Sequence, residues 1–542
     1  MSVSNTALTP LSFLERSARV FPDKIAVIYG KRRLTYRELA AQATQMAHAL
    51  RASGIQPGDR VAYLLPNLPE MLVAQFAVPL AGGVLVSVNT RLSDEEIAYI
   101  LNHSGAKVLV TDSALLPQVA SAIHNVPTIT EVVVFEDSEA EQTADPRAVT
   151  LAGARLVGYG DFILRGSSDP LEWAVEDELA PISINYTSGT TGRPKGVVYT
   201  HRGAYLNSFG EIVHSCFDQD SVYLWTLPMF HCNGWCTQWA LTGIGGTHVC
   251  LREVRGDVIW ELIQEHGVTH LNGAPTVVTT IMNAPQAAKL DYPLMITTAG
   301  APPSPTTILQ MEQMGFRIVH VYGLTESYGP YSVCQSQPGW TSVEPTERAT
   351  LQARQGVSMV QAERVRVVDE LMKDVPSDSL TMGEIVLRGN NVMAGYYRDP
   401  QGTADAFAGG WFHTGDLGVM HPDGYVELRD RAKDVVISGG ENISTVEVEQ
   451  ALMSHPAVLE VAVIGVPDER WGERPKAFVV LKDGVLVEER ELIDHVRLKI
   501  ARYKAPRNVD FLVELPRTST GKIQKFVLRD REWAGKTHRV QG

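Results

Sequence analysis

A chain of 542 residues is too long for one hydrophobic core, so two or more domains are expected. Its 44% hydrophobic and 20% charged residues describe an ordinary soluble globular protein. A net charge of −14 and a pI near 5.6 argue against nucleic acid or anionic lipid as the main partner, while leaving room for a local basic pocket.

The start, Met1-Ser2-Val3-Ser4-Asn5, lacks a basic region followed by an apolar core, so no secretory leader is read and a cytoplasmic protein is expected. Five cysteines, an odd count, fit reduced thiols in a reducing compartment. From Tyr36–Arg51 (helix) and Arg60–Leu65 (strand) the pattern alternates through Glu95–Asn102 (helix), Lys107–Val110 and Val132–Phe135 (strands). Met71–Thr90 is uncharged and long enough to cross a bilayer, but Pro79 and Gly82-Gly83 divide it into a helix and a buried strand, so no integral membrane segment is expected. Glu136–Glu178 is acidic and weakly periodic, and reads as a peripheral segment.

Next, the apolar run Pro181–Ile184 leads into Tyr186-Thr187-Ser188-Gly189-Thr190-Thr191-Gly192-Arg193-Pro194-Lys195-Gly196, and Val197–Tyr199 leads out. Hydroxyls, glycines and two cations between two strands suit an anion cradle, because glycine lets backbone N–H groups approach a phosphate. The common P-loop is excluded by Pro194 and Gly196. Taken alone, such a loop also fits a plain surface hairpin.

Alternation resumes with Val222–Thr226 (strand), Val258–His266 and Val277–Asn283 (helices), Leu294–Thr298 (strand), Thr306–Met314 (helix) and Ile318–Tyr322 (strand). Strand–helix alternation predicts parallel sheets covered by helices. His231-Cys232-Asn233-Gly234-Trp235-Cys236 lacks the second Cys/His pair of a zinc site and reads as a buried apolar loop. Ala299-Gly300-Ala301-Pro302-Pro303 and Leu324-Thr325-Glu326 each follow a strand, where ligands of open α/β sheets bind. Gln335–Met382 is less regular, and Gly383–Leu387 is β-rich.

Trp411-Phe412-His413-Thr414-Gly415-Asp416 offers a carboxylate able to accept from two hydroxyls. The charged run Asp430–Asp434 marks a boundary, after which come Val435–Ser438 (strand), a capping box at Ser444/Glu447, strands at Glu460–Val466 and Ala477–Leu481, and the helix Glu489–Ile500. Within this last module lie Ser438-Gly439-Gly440-Glu441-Asn442-Ile443 and, near the end, Pro516-Arg517-Thr518-Ser519-Thr520-Gly521-Lys522-Ile523.

The set resembles AMP-forming acyl-CoA synthetases of the acyl-adenylate-forming superfamily, on the branch of medium-chain, plant-type acyl-activating and methylmercaptopropionate-CoA ligases, to which the Ala353–Val357 and Val333–Gln335 stretches are also similar. The resemblance spans nearly the whole chain. It implies an α/β fold: a large N-terminal domain of layered α/β subdomains (1–430) and a small mobile C-terminal α+β domain (431–542), hinged near 431–434 with Lys433 at the hinge. It further implies ATP, Mg²⁺ and coenzyme A as cofactor and co-substrates, a small-molecule carboxylic acid as partner, no nucleic acid, and leaves a homodimer open.

By the same resemblance, Thr187, Ser188, Gly189, Thr190, Thr191, Gly192 and Lys195 cradle pyrophosphate, and Glu326 with Thr187 holds the metal. Gly300, Ala301, Pro302, Tyr322, Gly323 and Thr325 meet the adenine side, Asp416 and Arg431 the ribose, and Lys522 the new C–O–P junction. Gly439, Gly440 and Glu441 would line the coenzyme A channel once the small domain turns. His231, Trp235, Gly300, Pro302, Tyr328, Tyr331 and Cys334 are the candidates for an apolar acyl pocket without an obvious second cation, which disfavours dicarboxylates and suits a short- to medium-chain or small aryl acid. The rival within the superfamily loads a carrier protein instead of coenzyme A.

Overall fold

The computed structural model describes residues 4–534 apart from 141–142, 152, 188–192, 301, 439–440, 469 and 518–521. The described residues form four sheets. In one, Val84–Ser87, Arg60–Leu64, Val108–Asp112, Glu131–Phe135 and Arg155–Gly158 run parallel, next to Pro181–Tyr186. Pro181–Tyr186 then pairs antiparallel with Gly196–Thr200, Ile184 facing Val198, so the predicted anion loop is the tip of a hairpin. Uncharged Pro69–Leu80 is a helix buried all round, and the alternation beyond it is the strand Val84–Ser87. The acidic segment is less peripheral than its composition suggests: Arg155–Gly158 closes the sheet edge and is followed by the short helix Tyr159–Ile163.

A second sheet carries parallel strands Ile25–Tyr29, Thr247–Val249, Val222–Leu224, His270–Gly273, Leu294–Thr298 and Phe316–Leu324, with antiparallel strands at both edges. Its first parallel strand comes from the start of the chain: Val27 pairs with His248. Two charged clusters tie the second sheet to the first sheet and to the helix Pro69–Leu80. Arg252 donates to Asp112 and Asp137, both at 2.7 Å, while Tyr29 donates to Asp137 at 2.6 Å; Arg32 donates to the buried Glu70 at 2.5 Å.

The helix His201–His214, unannounced by its sequence, buries Gly203, Ala204, Asn207, Ser208, Gly210 and Glu211, a face too small and polar to show an apolar period. Burial raises the Glu211 pKa to about 8, and its Oε1 meets no hydrogen-bond partner among the described residues. The unfolded state ionises this carboxyl from its ordinary value upward, whereas the folded state holds its proton to about pH 8, so stability falls as pH rises through that window. Glu211→Gln keeps the shape without the charge. Thermal scans should show the wild-type melting temperature falling relative to the variant's between pH 5 and 8, with a gap of about 2–5 °C at pH 8; parallel curves would mean that Glu211 ionises freely.

An antiparallel sheet of Arg366–Val368, Met382–Leu387, Phe412–Met420 and Val426–Arg431 follows, in which Arg431 is the last strand residue and faces Asp416. From Val436 a separate sheet begins, Glu441–Ile443, Val436–Ser438, Gly472–Leu481 and Val458–Asp468, with Val509–Phe511 parallel beside Gly472–Leu481. Arg431 is thus the last residue of the one sheet, and the next begins at Val436. The Ser444 cap forms, with Glu447 N–H donating to its hydroxyl at 3.1 Å. The reciprocal half of the capping box does not: the Glu447 carboxylate turns to Lys504, at 2.7 and 2.9 Å, where it meets a full charge.

Candidate active site

Four neighbouring parallel strands of the second sheet end at one cavity. Thr226 and Leu227 follow Val222–Leu224, Gly273 ends His270–Gly273, Ala299 and Gly300 follow Leu294–Thr298, and Gly323 to Thr325 end or follow Phe316–Leu324. Loops at the carboxyl ends of adjacent parallel strands converge, which is why an open α/β sheet places its ligand there. The cavity measures about 180 Å³, and Lys522 from the C-terminal unit forms part of its wall. A Cβ on Gly300 would lie 3.5 Å from the Lys522 Cε, so the lysine and this loop meet directly.

The charged groups around the cavity offset one another. Tyr322 donates to Asp416 Oδ2 at 2.8 Å, and Arg431 Nε stands 3.4 Å from Asp416 Oδ1. Burial raises the Asp416 pKa, opposed by Arg431. Glu326 Oε1 accepts from the Tyr396 hydroxyl at 2.9 Å, and burial raises its pKa too. Lys522 is lowered by burial and then by Arg431. A phosphate or carboxylate entering the cavity would restore its charge, so the site is electrostatically matched to an anion. His231 is lowered to about 3 by burial and by the Lys522 ammonium, and its ring is neutral at physiological pH.

Mg²⁺ takes one or two carboxylates and completes its shell with water and substrate phosphates. Glu326, a half-buried carboxylate that accepts from the Tyr396 phenol, fits that demand, and among the described residues no preformed group of three or more His, Cys, Asp or Glu competes as a self-sufficient metal site. Thr187 closes the hairpin by donating its N–H to Lys195 O at 3.0 Å, and Lys195 Nζ lies 4.5 Å from the Tyr396 ring centre. Ser188, Gly189, Thr190, Thr191, Gly192, Ala301, Gly439 and Gly440 lie outside the described residues; Glu441 is exposed on the strand Glu441–Ile443.

Of the acyl-pocket candidates, His231, Trp235 and Gly300 line the cavity. Tyr328, Tyr331 and Cys334 do not: proximity to the motifs in sequence ignored where their polar atoms are satisfied. Tyr328 stacks on Tyr199 with ring centres 3.8 Å apart and accepts from Thr200 N–H; Tyr331 donates to the Glu363 and Arg388 carbonyls; Cys334 turns to Leu351 O. Pro302 is likewise not in its lining. Arg91 also reaches the cavity wall. Tyr396, Cys232 and Arg91 are site residues that sequence reasoning missed. The turn of Cys232 was legible only as apolar, and Tyr396 arrives from a short edge strand, Gly395–Tyr396, that pairs with Val197 and Val198.

Cys232 through Cys236 trace a left-handed turn, every φ lying between 46° and 66°. For L-residues this conformation costs about 1–2 kcal/mol per position, with asparagine and glycine the tolerant exceptions, so the surroundings must hold it.

Residues 14–397 match the AMP-binding enzyme family and residues 447–522 the AMP-binding enzyme C-terminal domain. An acetate–CoA ligase of Humulus lupulus is 45% identical over 97% of this chain and 94% of its own length. A 2-methylpropanoate–CoA ligase of the same plant is 44% identical over 97% and 95%. Among solved structures, an anthranilate CoA ligase in complex with anthranoyl-AMP superposes with a TM-score of 0.85 at 27% identity, over 98% of this chain and 99% of that one. With a family match along most of its length and an anion-suited cavity where its parallel strands end, the chain belongs to the AMP-binding enzymes and is an AMP-forming acid–CoA ligase that uses ATP, Mg²⁺ and coenzyme A.

Proposed function

We propose that the acid is a short-chain monocarboxylate, straight or branched, of about two to six carbons. The observation that carries this is the size of the cavity, about 180 Å³ with Trp235 in its wall. A cavity of about 150 Å³ is enough for benzene, so a six-carbon chain fits and a long chain does not. The relatives named for acetate and 2-methylpropanoate point the same way.

In the first half-reaction a carboxylate oxygen attacks the α-phosphorus of ATP and pyrophosphate leaves; in the second the coenzyme A sulfur attacks the acyl carbon and AMP leaves. We assign Lys522, in the cavity wall, to charge at the junction between acid and α-phosphate, and Asp416 with Arg431, 3.4 Å apart, to the ribose. The neutral His231 ring packs beside the acid without competing for its charge. Glu326 would hold the metal that neutralises the phosphates. We assign Lys433 the hinge, and Glu441 with its neighbouring glycines the thioester-forming surface. The domain boundary falls between Arg431 and Val436, where one sheet ends and the next begins.

AMP release over straight acids of two to ten carbons, 2-methylpropanoate and benzoate, each with and without coenzyme A, tests this. A maximum at or below six carbons that requires coenzyme A is expected; a maximum at eight or more overturns the size argument, and activation indifferent to coenzyme A would favour a carrier protein. Trp235→Ala should raise kcat/KM for octanoate about tenfold relative to butyrate, each methylene being worth about 1–3 kcal/mol in an apolar pocket. A cytoplasmic location, supported by the five free thiols, and the homodimer are read from fractionation and light scattering of the full chain.

A further inference from the structure

The left-handed turn that delivers Trp235 is held by a buried set of amides and hydroxyls. Asn233 Oδ1 accepts from Ser183 Oγ at 2.7 Å and from Asn185 Nδ2 at 2.6 Å, and its Nδ2 donates to Gln75 Oε1 at 2.7 Å. Its main-chain N–H donates to Asn185 Oδ1 at 3.3 Å. The next carbonyls are satisfied from the other side: Asn207 Nδ2 donates to Trp235 O at 3.3 Å and Ser208 Oγ to Cys236 O at 3.5 Å. These partners come from the helix Pro69–Leu80, the strand Pro181–Tyr186 and the helix His201–His214, and all of them are buried.

A buried amide is costly unless its partners are in place, so these contacts and the left-handed turn hold each other. What the left-handed turn changes is where the indole goes. Gly329, at φ 99°, gives it room: a Cβ there would stand 2.6 Å from Trp235 Cδ1. We propose that Gln75 and Asn233 are positioning residues for acid specificity: by fixing the turn they set how far Trp235 projects into the cavity and so the length of chain admitted. Neither touches the cavity itself. The inference rests on the cavity being the acyl pocket.

Gln75→Leu removes the distal acceptor, and Asn233→Gly deletes the amide at a position where glycine tolerates positive φ. For each, and for Trp235→Ala, kcat/KM is measured for butyrate, hexanoate and octanoate, together with KM for ATP. The octanoate-to-butyrate ratio should rise about tenfold in each variant, no further when Gln75→Leu and Asn233→Gly are combined, with KM for ATP unchanged. A uniform loss for all acids at constant ratio, or a fall in melting temperature alone, overturns the inference. If only Trp235→Ala moves the ratio, the pocket stands and this inference fails; if Trp235→Ala leaves it unmoved, the pocket assignment fails and takes the inference with it. Should Asn233→Gly not fold, Gln75→Asn, which keeps a buried amide one methylene short, must shift the ratio in the same direction.

Discussion

Replacing Lys522 by alanine is expected to cut acid-dependent exchange of pyrophosphate into ATP by about 10²–10³-fold while leaving thioester formation from supplied acyl-adenylate within about threefold. The ammonium stands in the cavity wall against the Gly300 loop, near Asp416 and Glu326 but repelled by Arg431. It is desolvated and repelled by Arg431, so a carboxylate and an α-phosphate placed between the two cations stabilise it further. That gain grows as negative charge moves from the attacking oxygen to the phosphate, so the interaction belongs to the transition state of the first step and should appear in kcat. Arginine is a poor replacement, because its planar fork cannot follow a single point of developing charge as an ammonium does. The check is to measure both half-reactions on one preparation. Equal loss of the two would sink the assignment of Lys522 to adenylation alone.

Arg252→Ala is expected to destabilise the fold by about 3–5 kcal/mol, the range for stripping one partner from a buried ion pair. The Asp112 side chain is 0% exposed and that of Asp137 2%, and both oxygens lie 2.7 Å from the same guanidinium nitrogen. Taking the cation away leaves two carboxylates facing each other out of water, with only neutral donors, the Tyr29 hydroxyl and Glu139 N–H to Asp137 and the Ala114 N–H to Asp112, among the described residues. The penalty falls on the joint between the two large sheets, so loss of folded protein and loss of activity should run together. Equilibrium denaturation, or melting temperature where unfolding is irreversible, measures it. Arg252→Lys should recover part of the loss, and Asp112→Asn with Asp137→Asn in the alanine background should recover more, since the repulsion is then gone. A drop below about 1 kcal/mol would mean that water reaches the cluster.

Much of this was legible in the sequence, wherever a local pattern has one physical solution. Alternating apolar runs gave parallel strands, Pro79 and Gly82-Gly83 ended a helix, and a strand–loop–strand reading of residues 181–199 became a hairpin. Lys522, His231 and Gly300, far apart in the chain, were tied together by the family's motifs, and the fold brings them to one cavity. What stayed hidden depended on long-range partners. The helix His201–His214 faces inward with small and polar residues, so no apolar stripe betrays it. Glu447 has both a capping position and Lys504 within reach, and only tertiary structure decides between them. Tyr328, Tyr331 and Cys334 stand close to motif residues in sequence, but their polar atoms are claimed by carbonyls and amides elsewhere. No single-sequence signal marks five consecutive left-handed residues, four of which carry side chains.

The pairing of Val27 with His248 has a consequence for how the protein is made. Translation proceeds at about 5–20 residues per second, so the strand Ile25–Tyr29 waits roughly 10–45 s on the nascent chain before its parallel neighbour exists. During that time only the hairpin with Arg32–Thr35 can occupy one of its edges. The other edge is an unpaired row of amides beside apolar side chains, open to any other extended chain nearby. Ribosome-bound intermediates that stop before residue 247 should therefore be the species that chaperones hold, and slowing translation before that point should lower the yield of soluble protein more than slowing it beyond.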